Sequence, residues 1–181
     1  MTKLPEIKET ELVKRKQEKD GWDFLFLFTD KYLEMVVKNN EIIQEFNKSQ
    51  LTLLGYNYLY GEVNNGGFIQ LIENGYGGLI FNNQFSETIK SWGAEKIAEI
   101  VAEANVIYNK HKEKLDSATA KLKEAKTSKE AEKAMEESSK LYEEITEFEP
   151  LEDMFYGVMD QETVKIRKYV EKNANEFALI V

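Results

Sequence analysis

Residues 112 to 147 contain neither glycine nor proline and are built largely of Lys, Glu, Ala and Ser. Nothing there breaks a helix, and Lys, Glu and Ala are strong helix formers. Two apolar stripes run through it at helical spacing. The first is Leu115, Ala118, Leu122 and Ala125; the second is Ala131, Ala134, Met135, Ser138, Leu141, Tyr142 and Ile145. Between them, Thr127-Ser128-Lys129-Glu130 has the spacing of a capping box, which satisfies the free amides of a new helix start. The pattern predicts an antiparallel helical hairpin over 112–147 with an Ala-rich seam.

The rest of the chain reads as helix too. From Trp22 to Val37 a dense apolar group, Phe24 to Phe28, runs into residues at helical spacing, and no alternating partner strand lies nearby. Leu51 to Tyr60 reads as a second helix, opened by Ser49 as N-cap. Gly75, Gly77 and Gly78 mark a loop. Gly93 separates a short helix carrying Ile89 and Trp92 from an amphipathic helix on Ile97, Ile100, Val101, Ala104, Ile107 and Tyr108. A last helix is expected from Asp160 as N-cap through Val164, Ile166, Tyr169, Val170 and Phe177, with Ala178 to Val181 tucked against the core. The 181 residues are 42% hydrophobic, enough for one core. The expectation is an all-α fold: a flexible N-terminus over 1–20 and a single helical domain over 21–181.

Several chemistries are excluded early. There is no cysteine and one histidine, His111. Disulfides, thiolate nucleophiles and Cys-ligated metals are therefore ruled out, and multi-His zinc sites and Ser–His catalysis are not expected. No apolar run approaches the roughly 18 residues that span a bilayer, and no signal-peptide core is evident. The expectation is a cytoplasmic protein without metal, cofactor or catalytic activity. A net charge of −9 disfavours direct binding of nucleic acid, since such domains carry a basic footprint.

That charge is localised. Residues 136 to 162 hold ten acids and one base, Lys140, while the remaining chain carries 23 of each sign. Helical geometry places Glu136, Glu137, Glu143, Glu144 and Glu147 opposite the apolar stripe. With Glu149, Glu152 and Asp153 they are the candidate partner-binding residues, facing a basic protein. A solvated helix face is the blander alternative. Lys114, Lys121, Lys123, Lys126, Lys129, Lys133 and Lys140 dilute the negative charge on the hairpin's first arm. The Ala-rich seam also leaves open an antitoxin-like or scaffold role as a homodimer.

The most distinctive stretch is Glu62-Val63-Asn64-Asn65-Gly66-Gly67-Phe68-Ile69-Gln70, with Asn74 just after it. It lacks the Gly-Lys-Ser/Thr of a phosphate loop and the glycine spacing of a dinucleotide fingerprint. Asn and Gln are weak ligands for a hard cation, and no acidic cluster accompanies them. The reading is a helix–turn–helix corner: Gly66 or Gly67 supplies the left-handed residue, the polar side chains satisfy helix ends, and Phe68 anchors the next helix. A small-ligand or enzymatic pocket at Glu62–Gln70 is the alternative. This run, followed by Asn74 and by Trp92-Gly93-Ala94 leading into the Ile97 helix, resembles a bacterial family catalogued as a domain of unknown function that contains a DNA-mimic protein. Phe148-Glu149, Leu151-Glu152-Asp153 and Phe155-Tyr156 resemble its next block, and Tyr169-Val170 with Phe177 its last helix. The resemblance covers roughly residues 22 to 177. It implies a helical, non-enzymatic protein and, by the DNA-mimic member, an acidic surface that occupies a regulator's DNA site.

Overall fold

A computed structural model describes residues 3–18, 21–81 and 84–181. Eight α-helices carry the described chain: α1 Glu9–Lys16, α2 Gly21–Lys38, α3 Lys48–Glu73, α4 Gly77–Phe81, α5 Phe85–Ser91, α6 Glu95–Glu124, α7 Ser128–Glu144 and α8 Glu149–Lys172. Short 3-10 turns fill Asn40–Glu45, Thr146–Phe148 and Ala174–Glu176. Two-residue strands β1 (Glu6–Ile7) and β2 (Leu179–Ile180) pair in parallel, Glu6 opposite Leu179 and Ile7 opposite Ile180. The fold is all-α, as expected. No helix of the described residues is long and apolar enough to cross a membrane.

Helix α6 is the central element. It packs on α3, α5, α7 and α8. The core is aromatic. Trp22 stacks on Tyr56 with ring centroids 5.2 Å apart, and Trp92 stacks on Tyr169 at 5.0 Å. Phe28 meets Phe177 edge to face. Aromatic pairs of this kind stabilise by about 0.5–1.5 kcal/mol beyond the area they bury.

The hairpin forms where its local signals placed it. The Thr127 side chain accepts from the Glu130 amide, and the Glu130 carboxylate accepts from the Thr127 amide. Its first arm is not a separate helix: the Ile97 helix runs unbroken to Glu124, since neither Gly nor Pro interrupts it. Leu115, Ala118, Ala134, Ser138, Leu141 and Ile145 are buried in the seam, whereas Met135 and Tyr142 are exposed.

Three expectations are corrected. The N-terminus differs from a flexible arm over its described part: Ile7 is 1% exposed, Leu12 is buried, and Arg167 donates to the carbonyl of Lys16 at the end of α1 and to that of Glu18 just after it. Residues 1, 2, 19 and 20 of that arm lie outside the described residues. The N-cap of α3 is Asn47, not Ser49, because Asn47 and Gln50 form a reciprocal capping box while the Ser49 hydroxyl donates to Glu176. Asp160 caps nothing. It sits inside α8, which starts eleven residues earlier with Pro150 in its first turn, where proline's missing amide is harmless.

Candidate functional site

The glycine corner is built around a bend in α3. Gly67 adopts φ 77 and ψ −170, a conformation essentially reserved for glycine. The bend lets the second half of α3 bury Phe68, which stacks on Phe148 with centroids 5.5 Å apart. It also exposes the Phe68 amide to Glu152 of α8, whose Oε1 accepts from it at 2.8 Å. A Cβ on Gly67 would lie 2.2 Å from the same oxygen.

The polar residues of the motif are engaged with one another. Glu62 Oε2 accepts from Gln70 Nε2 at 2.6 Å and from Asn74 Nδ2 at 2.8 Å. Asn65 donates to Gln70 Oε1, and Asn64 donates to the Tyr60 carbonyl. Across the corner the Tyr156 hydroxyl donates to the Val63 carbonyl. Three cavities, of about 370, 950 and 390 Å³, lie beside α3 and α5, at the hairpin tip and beside Gly75–Gly78. Glu62, Asn64 and Gln70 line none of the three. The geometry is that of a brace joining both halves of α3 to α8.

Two carboxylates near the brace are shifted. Burial raises the Glu152 carboxyl, against the opposing pull of the Phe68 amide. Burial also raises that of Glu73, against a hydrogen bond with Ser138. Although Tyr142 is partly exposed, the burial its ring does have, followed by the charges of Glu73, Glu152 and Glu62, pushes its hydroxyl up to about 12.

The candidate partner-binding acids fall into different environments. Glu137 pairs with Lys121 at 2.5 Å and Lys133 at 3.9 Å, and Glu144 with Lys114 at 3.0 Å. Glu147 pairs with both Lys110 and His111. The acids on the inner edge of α7 and in the turn after it are thus matched by bases of α6. Glu152 belongs to the corner. Glu162, 2% exposed, accepts from the Lys96 amide at the start of α6 and pairs with Lys165. A carboxylate there also complements the positive end of the α6 dipole.

Five acids of the 136–162 segment remain exposed without an ion pair among the described residues. Glu136 and Glu143 lie on α7, opposite its buried stripe; Glu149, Asp153 and Asp160 lie on α8. At about 100° per residue, the three α8 acids fall within about 40° of one another. Asp160 was missed as a surface residue because it was read as a cap. The signal that finds it is Pro150, whose fit to a first helical turn moves the helix start back and aligns all three.

A family model described as DMP19-like protein matches residues 44–173, from the start of α3 through α8. The chain belongs to the DMP19-like family. It is also 25% identical over 167 residues, covering 92% of either chain, to the "DNA mimic protein DMP19" of Neisseria meningitidis serogroup B. The DMP19-like match takes in the corner, the hairpin and the exposed stripe of α8, and leaves out β1, α1, α2 and β2.

Proposed function

We propose that this chain is a non-catalytic protein-binding module that occupies the basic, DNA-contacting face of a DNA-binding protein. Membership of the DMP19-like family, and a relative named as a DNA mimic, support the class of partner. The observation that carries the reading is the row of Glu149, Asp153 and Asp160 along the outward face of α8, without an ion pair among the described residues. Such charges speed association with a basic surface and make it sensitive to salt. The three acids span about 16 Å at 1.5 Å per residue, sparser than the phosphates of one DNA strand, at 3.4 Å of axis each. The match is to a basic protein surface rather than a phosphate-by-phosphate copy. The proposed setting is the bacterial cytoplasm, where DNA-binding regulators work.

The test uses DNA-binding regulators encoded beside and beyond this gene, each bound to a fluorescent operator duplex. The chain is expected to release the duplex from one or more of them, less effectively as salt rises. The variant Glu149→Gln/Asp153→Asn/Asp160→Asn is expected to lose that effect while Glu137→Gln keeps it. Equal competition by the triple variant, or no release from any regulator at low salt, overturns the reading.

A further inference from the structure

Gly157 lies on the same outward face of α8, one turn after Asp153 and just before Asp160. It is exposed, and nothing in the chain comes within 4 Å of where a Cβ would sit. No internal packing requires a glycine there, yet glycine is the least favourable residue for a helix interior after proline. Tyr156 and Met154 stand beside it, 43% and 47% exposed, and Val164, 44% exposed, lies two turns on along the same face. At about 100° per residue, Glu149, Asp153, Asp160 and Val164 all fall within about 80° of Gly157. The face therefore combines a notch down to the backbone, apolar shoulders and an acid on either side of the notch.

We propose, resting on the docking reading above, that this notch receives a basic α-helix of the partner crossing α8 at Gly157. Asp153 and Asp160 lie seven residues apart, about 10.5 Å along the axis, and a helix with its side chains is about 10–12 Å across. A crossing helix fits between them. Lys or Arg on its two flanks reaches the two acids, and a small residue at its centre meets Gly157. Helices pack with axes 8–10 Å apart, and the near end of that range needs a residue without a side chain at the contact. Tyr156, fixed by its bond to the Val63 carbonyl, offers its ring to a flanking guanidinium.

The experiment titrates the full chain, labelled with 15N, with a synthetic helical peptide of about 20 residues bearing Ala at its centre and Lys or Arg on both flanks, long enough to be helical alone. Amide shifts are expected to centre on residues 153–160. Gly157→Leu, which fills the notch without changing charge, is expected to weaken binding at least about tenfold, and Asp153→Asn/Asp160→Asn similarly. Gly157→Ala is expected to raise Tm, showing that the position is not needed for folding. Binding within about twofold of wild type by Gly157→Leu, with loss in the Asp variant, overturns the notch and leaves the docking reading standing. Unchanged binding by both overturns both. Self-association of the free chain that Gly157→Leu abolishes overturns the proposal in favour of a second copy as occupant.

Discussion

Gly67 is the residue on which the path of α3 depends. Its φ of 77 and ψ of −170 disfavour any L side chain, and the space its Cβ needs is held by Glu152. Gly67→Ala is expected to lower stability by about 2–3 kcal/mol in urea unfolding, combining backbone strain with a displaced carboxylate. Glu73 gives a pH signature. Its carboxyl titrates above the ordinary value in the folded chain because burial disfavours the charge. The folded state therefore holds that proton more tightly than the unfolded one. The group's contribution to stability is full below the unfolded value and is lost as pH rises from there through the raised one. Glu73→Gln removes the penalised charge. Its Tm is expected to exceed the wild type's at pH 7, and the gap is expected to close as pH falls from the raised value to the ordinary one. A gap independent of pH would count against burial as the cause.

Among the elements, α7 is held by local signals and α8 by distant ones. Thr127→Ala breaks the capping box and is expected to cost about 1 kcal/mol, read as faster amide exchange in the first turns of α7. Gly157→Ala is expected to stabilise the chain by about 0.5–1 kcal/mol in thermal unfolding, since it improves helix propensity and meets no neighbour. The same contrast explains what could be read in advance. The hairpin was legible because Thr127, Glu130 and the Ala134–Ile145 stripe carry it within a few turns. The corner was legible because Asn-Asn-Gly-Gly can do little but turn, though its closure by Glu152 was not. That contact joins residues 84 positions apart, and an acid in an acidic run gives no sign that it faces inward. Glu162, one of the ten acids of the same segment, also faces inward with nothing in the sequence to mark it. Asp160 resembles a cap in the sequence, whereas the start of α8 is marked by Pro150 in its first turn.

Over the whole molecule, the charge of −9 is not what a partner meets. Three acids of the 136–162 segment are answered by bases on α6, and two more are drawn inward at Phe68 and Lys96. The α6 bases therefore set the outward field. Lys110→Gln/Lys114→Gln/Lys121→Gln is expected to raise the association rate with a basic partner at low salt, with the gain vanishing at high salt. Its Tm is expected to stay close to the wild type's, since exposed pairs contribute little to stability. A rate unchanged in stopped-flow mixing would place the docking surface away from the hairpin's field. The pairing of β1 with β2 acts on another timescale. A ribosome makes Ile7 long before Ile180, so the strand that pairs with Ile7 does not exist until Ile180 has been made. Pairing so far apart along a chain is a slow step. β1 is thus expected to pair only after β2 has been made, and a nascent chain halted before residue 179 carries the N-terminal arm without its strand partner.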